Sequence, residues 1–253
     1  GTVQLGPHLL IFGGPTGSWT FSGTIAGLGA VFKKGADIAI FSGSNSYTGG
    51  TVVHAGTLRL QGSGQLASSG EVTVNSEGTF DISLASSPVV IGDLMGGGLV
   101  TLGSNTLQFG TSQSRTFSGS IQNSGSIVKV GSGIATFTGN NTFSGGTSIN
   151  AGTLAILGSL ASGVTVNSSS TLRGTGVISG AVTVNNGGTI RPGASVGTIT
   201  VSSLTLASSS TTYIELRPQT GSQSSAASSI HVLGAASLDG NVLVEAPLGF
   251  YPS

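Results

Sequence analysis

Residues Thr20 to Leu60 align without a gap onto Thr116 to Ile156 at an offset of 96 residues (Phe21 to Phe117), pairing TFSGTI with TFSGSI, FSGSNSYTGGT with FTGNNTFSGGT, and HAGTLRL with NAGTLAI. A fixed-offset repeat in a chain rich in Gly, Ser and Thr points to a stacked, quasi-one-dimensional β structure. It argues against a conventional enzyme built around one pocket.

The two copies show which positions are constrained. Apolar character is kept at Phe41/Phe137, Tyr47/Phe143, Val53/Ile149, Leu58/Leu154 and Leu60/Ile156, while Val52/Ser148, His54/Asn150 and Arg59/Ala155 drift between them. This is period-2 alternation with one face fixed in hydrophobicity, so the fixed face points into a core. The turns recur as well, at Gly49-Gly50/Gly145-Gly146 and Ala55-Gly56/Ala151-Gly152, as positions that need a positive φ or close packing a Cβ would block. Asn45/Asn141 fits the same account, because Asn tolerates the left-handed region and bonds its own turn.

A second family of runs is EVTVN at Glu71, GVTVN at Gly163 and AVTVN at Ala181; the last two are 18 residues apart, about one coil of a solenoid. No window carries a sustained i, i+3, i+4 pattern. The expected fold is all-β, a right-handed single-stranded parallel β-helix running through 1–253 as one continuous unit. Repeat copies stand at about 20–60 and 116–156 and a C-terminal region at about 157–253. At roughly 20 residues per coil and about 4.8 Å per coil, the rod is on the order of 50–60 Å long. RPQTGSQSSAASS, from Arg217 to Ser229, breaks the rhythm and reads as an exposed loop.

Charged residues make up only 6% of the chain and the formal net charge is zero, so neither nucleic acid nor an anionic membrane finds an electrostatic footprint. The absence of cysteine suits a chain that crosses an oxidising compartment unfolded. GTVQLGPHLLIFGG has no basic leader segment, and the sequence is read as an internal fragment.

Catalytic patterns do not survive a mechanical reading. Gly193-Ala194-Ser195-Val196-Gly197 matches G-x-S-x-G, but that chemistry needs a strand-to-helix elbow with a His and an acid alongside. Ser126-Ile127-Val128-Lys129 matches S-x-x-K, yet in a strand Ser126 and Lys129 point to opposite faces. His8, His54 and His231 lack partners at metal-ligand spacing. The acids are scattered and read as solvated surface groups; Asp81 and Asp93, 12 residues apart, have a spacing that lets them neighbour, as a β-helical carbohydrate-active enzyme would require. The Phe residues at repeated positions read as internal stacking, and Trp19, which aligns with the unrelated Arg115, is the aromatic kept as a surface candidate. No catalytic, cofactor-binding or metal residues are assigned, and no enzyme activity or cofactor is expected.

NxYTGGTxVxAGTLRLxG and NTFSGGTSINAGTLAILG closely resemble the passenger-associated transport repeat of autotransporters, surface proteins of Gram-negative bacteria. GTGVISGAVTVNNGGTIRPGASVGTITV and the tail IHVLGAASLDGNVLVEAPLGFYPS resemble the segments that follow it in that family. The resemblance implies a β-helical passenger exported through its own C-terminal outer-membrane β-barrel and displayed at the cell surface, or released after cleavage. It also implies a role as the stem of an adhesin or virulence-type protein. The alternative is that the segment itself is an adhesive or self-associating surface, contacting host-cell molecules or a second copy.

Overall fold

The computed structural model describes residues 1–86, 88–193, 195–217 and 226–246. Among them there is no helix; short strands joined by corners stack as a parallel β-solenoid of about 10 turns. Each coil contributes to three faces. The first face stacks Leu9–Phe12, Ala30–Lys33, Thr51–Val53, Val72–Val74 and Leu94–Gly96, and continues through Ile134–Phe137, Gly152–Ile156 and Ser170–Gly174 to Asn241–Glu245. The second begins with Ser18–Phe21 on Ile38–Phe41 and includes Thr57–Leu60, Leu99–Thr101 and Ser120–Gln122. The third includes Thr106–Phe109, Ser126–Lys129, Thr147–Ile149, Val164–Val166 and Val182–Val184.

The 18-residue spacing seen in the sequence is a true coil, for Val164, Thr165 and Val166 pair in register with Val182, Thr183 and Val184. The last coil is longer, with Thr211 opposite Asn241. Part of the extra length is a local hairpin: Leu216 and Arg217 pair antiparallel with Ala227 and Ala226. The segment expected to be one exposed loop is therefore partly β structure, and Ser228 within it is buried; its residues 218–225 lie outside the described residues. The alternation that the sequence displays has a simple origin. Side chains at every second position enter the lumen, where an uninterrupted stack of Val, Leu, Ile and Phe is sealed from water.

The 96-residue repeat is not a whole number of coils. Thr51–Val53 lies on the first face, but its counterpart Thr147–Ile149 lies on the third. Leu58 and Leu60 stand on the second face, and Leu154 and Ile156 on the first. The repeat thus encodes a strand, corner and strand as a local unit, and the three faces accept it interchangeably.

Candidate functional site

The repeated positions carry a set of polar groups inside the lumen. Phe41, Tyr47, Val53, Leu58 and Leu60 and their counterparts Phe137, Phe143, Ile149, Leu154 and Ile156 are all buried. Phe21 packs against Phe41 and Phe117 against Phe137 with the same geometry, ring centroids 6.1 Å apart in both pairs. Tyr47 is buried too, and its hydroxyl needs a partner. Thr51 Oγ1 supplies it at 2.5 Å, and burial pushes the phenol well above its usual range. Where the second copy has Phe143 instead, Thr147 turns to Ser162 on the next coil, Oγ1 to Oγ at 2.8 Å.

Asn45 and Asn141 do not occupy the left-handed region expected for them, since among the described residues the positive-φ residues other than Gly are Asn123 and Ser169. They are buried brackets between coils. Asn45 Oδ1 accepts from Ile25 N–H at 2.9 Å, while its Nδ2 donates to Gly43 O and Gln65 O. Asn141 repeats this with Ile121 N–H at 3.1 Å and the carbonyls of Gly139 and Ser159. One amide side chain thereby ties three successive coils. A buried backbone N–H left without that oxygen would carry a full desolvation cost.

The turn glycines separate into three kinds. Gly56 and Gly152 both have φ of 65°, and an added Cβ at either would stand 2.4 Å from a carbonyl oxygen of the preceding coil. Gly49 and Gly145 are not left-handed, but a Cβ would strike the backbone of Gly29 and Gly125. Gly50 has φ of 85°, whereas its counterpart Gly146 has no positive φ and open space around it. The requirement is thus not shared at that last pair, contrary to the sequence expectation.

Sequence reasoning missed the lysines. Lys33 and Lys129 occupy equivalent repeat positions and both are sealed in the interior. Lys33 Nζ donates to Lys34 O, Gly35 O and, on the next coil, Ala55 O, and lies 2.8 Å from Asp37 Oδ1. Lys129 Nζ donates to Val130 O, Gly131 O and Ala151 O. The signal was present: both lysines sit in period-2 register with the inward Val31 and Ile127, ahead of the recurring Ala-Gly corner whose carbonyl they reach. Lys129 has Gly133 where Lys33 has Asp37, and burial lowers its pKa, with only the more distant charge of Asp93 opposing.

The acids are held at separate corners. Asp81 accepts from Arg59 at 2.7 Å and from Ser83 N–H, while Asp93 accepts from the N–H and the hydroxyl of Thr111. Their oxygens stabilise corners, and the two do not form a pair. Trp19 is exposed, as expected of a surface aromatic, but it is tied down: its indole N–H donates to Asp37 Oδ2 at 2.7 Å and its ring meets Phe12 edge-on. Phe32, by contrast, faces outward and stacks on His54. His54 is not unconstrained either, since Nδ1 meets Asn75, just as its counterpart Asn150 meets Asn167, which in turn meets Asn185. Ser126 points outward and Lys129 inward, as the strand geometry requires. The turn holding Ser195 leads into the strand Thr198–Leu206, not into a helix.

A parallel solenoid whose buried ammonium, amide and hydroxyl groups recur at a fixed chain offset is a repeat protein stabilised corner by corner. Its repeats are of a known kind: the family model for the passenger-associated-transport-repeat matches residues 31–60 and 127–156, the stretches that contain Lys33 to Leu60 and Lys129 to Ile156. The chain is thus a β-solenoid that carries two passenger-associated transport repeats, consistent with an autotransporter passenger. Over 126 residues it is 34% identical to a protein named Adhesin BmaC autotransporter from Brucella suis biovar 1 (strain 1330). That alignment covers 47% of this chain and 4% of the relative, so the chain spans a small fraction of the relative's length. No solved structure matches the chain.

Proposed function

We propose that this chain forms part of the surface-exposed β-helical stem of a Gram-negative autotransporter, carried outward through the C-terminal β-barrel of its own full-length polypeptide and supporting display of an adhesin-type passenger. The observation that carries this reading is that both transport repeats contribute to one continuous hydrophobic core. Because strands pair only with the coils before and after them, each coil formed outside the membrane adds its own ladder and core contacts. Those contacts oppose backsliding without a nucleotide energy source. The scarcity of charge, with 8 basic and 8 acidic residues, eases passage of the unfolded chain.

The test uses the full-length protein in its own outer membrane. Leu154 is buried, so Leu154→Asp places a charge in the lumen at a cost of several kcal/mol. Surface display should fall, and the segment should become protease-sensitive on intact cells. Undiminished display with full protease resistance would refute the stem reading.

One observation favours the second reading, a self-associating or adhesive surface. Ile11, Phe32, Val52, Thr73 and Met95 lie in register on the outside of the first face, forming a largely apolar ladder across five coils. Sedimentation of the isolated chain distinguishes the readings: concentration-dependent association lost on Phe32→Ser supports the surface, and a monomer at all concentrations removes it.

A further inference from the structure

The corner after Val74 is longer than its neighbours. Val53 pairs with Val74, yet Ala55 pairs with Glu77, so Asn75 and Ser76 stand opposite the single residue His54. In the next coil Gly96 pairs with Val74 and Leu99 with Thr79, leaving Gly97 and Gly98 beneath a four-residue corner. A bulged corner overhangs a corner without side chains. The result is a recess of about 420 Å³ lined by His54, Asn75, Ser76, Glu77 and Gly97, within the size range of small-molecule sites.

The groups that line it are oriented and available. Asn75 Nδ2 lies 3.0 Å from His54 Nδ1; an amide nitrogen donates, so in this contact Nδ1 accepts and the other ring nitrogen, Nε2, is the one that presents a donor. Phe32 stacks on the same ring at 5.5 Å and fixes its plane. Asn75 retains Oδ1 as an acceptor. Ser76 offers a hydroxyl, and the Glu77 carboxylate has no ion pair or hydrogen-bond partner among the described residues.

From this arrangement we infer that the recess is a binding site for a neutral saccharide unit. A sugar ring presents vicinal hydroxyls that both donate and accept, and the recess offers both: acceptors on Glu77, Asn75 and Ser76, and donors on His54 and Ser76. A bare cation would require acceptors alone. An anionic sugar is disfavoured by Glu77, whose charge no neighbouring cation neutralises. The hydrogen bonds to the ionised carboxylate are the strongest the site can make. This inference concerns the recess itself and does not depend on the route of export.

Saturation-transfer NMR on the isolated chain tests it, with methyl glycosides of glucose, galactose, mannose and N-acetylglucosamine as probes. N-acetylneuraminic acid serves as the anionic control and spermidine as the cationic one. At least one neutral glycoside should show transfer, and N-acetylneuraminic acid none. Gly97→Leu fills the recess at a position without positive φ, where an added Cβ meets only Ser118 Oγ at 3.1 Å; it should reduce the transfer at least tenfold. Asn75→Ala with Glu77→Gln should do the same without adding bulk, and decides the matter if the leucine variant does not fold. Absence of transfer from every neutral glycoside overturns the inference, as does transfer unchanged in both variants. Spermidine binding that Glu77→Gln abolishes, with no glycoside bound, would make the recess a cation site instead.

Discussion

Lys33 Nζ and Asp37 Oδ1 are 2.8 Å apart with both side chains sealed from solvent, whereas Lys129, in the equivalent corner, has no carboxylate in contact among the described residues. The same ammonium thus sits in the same ring of carbonyls with and without a counter-charge. Removing one partner of a buried pair strands the other, at about 3–5 kcal/mol. Lys33→Met should therefore destabilise the solenoid more than Lys129→Met, which loses hydrogen bonds to three carbonyls but strands no charge. Chemical denaturation of both variants measures the difference. Asp37→Asn should cost less in the Lys33→Met background than alone, because the charge it removes is then already unpaired. Equal costs for the two lysines would mean that Asp37 contributes nothing beyond the carbonyls.

The two corners should also respond to pH in opposite windows. Burial raises the Asp37 pKa, but hydrogen bonds from Lys33, Gly14 N–H and Trp19, with the Lys33 charge, bring it below the ordinary value. Its folded pKa lies below its unfolded one, so its contribution is complete above about pH 4 and is lost as pH falls through the lowered value. Glu215, held low chiefly by Arg217, adds to the same acid limb. Lys129 has a depressed pKa from burial. Charging it opposes folding, so stability should rise with pH as the solution passes from its folded value towards the ordinary lysine value of about 10.4. Denaturation midpoints against pH should show a shallower acid limb in Asp37→Asn and no alkaline rise from this source in Lys129→Met.

Most of the fold can be read from the chain because a solenoid is local: Val53, Leu58 and Leu60 alternate with Val52 and Arg59, and a period of two settles inward and outward without any distant contact. Coil length was also legible where Val164 and Val182 repeat. The inward lysines were not, since a charged residue is by default assigned to the surface, and only the ring of corner carbonyls around Nζ reverses that default. The role of Asn45 is hidden from the sequence for a related reason. Its partners Ile25 and Gln65 are each 20 residues away in sequence, and nothing in the local pattern shows what stacks above and below. The recess beside Glu77 escaped because it arises from a length mismatch between successive corners, visible only once the coils are in register.

The Asn bracket predicts a localised loss. Asn141→Ala removes the oxygen that Ile121 N–H uses and leaves that buried donor unpaired, at about 1–3 kcal/mol for the N–H plus the bonds to Gly139 and Ser159. Native-state hydrogen exchange should report it directly, with the Ile121 amide exchanging far faster in the variant while amides several coils away keep their protection. Asn45→Ala should do the same to Ile25. If Ile121 exchanges no faster, the bracket is not what holds the amide.

The glycines of one repeat copy should divide cleanly under substitution by alanine. At Gly152 the backbone is left-handed, which costs an L side chain about 1–2 kcal/mol. A Cβ there would also lie 2.4 Å from Gly131 O and 2.7 Å from Gly133 O, so successive coils would have to separate. Gly152→Ala should therefore destabilise by more than the backbone cost alone, and Gly56→Ala, with the same φ and the same 2.4 Å approach to Gly35 O, should match it. At Gly146 neither obstacle exists, and loss of chain freedom in the unfolded state should make Gly146→Ala stabilising by about 0.4–1 kcal/mol. Its counterpart Gly50→Ala, at φ of 85°, should be destabilising. Thermal melts of the four variants give opposite signs within one aligned pair of the repeat, a result that sequence identity between the copies does not anticipate and that the difference in backbone conformation requires.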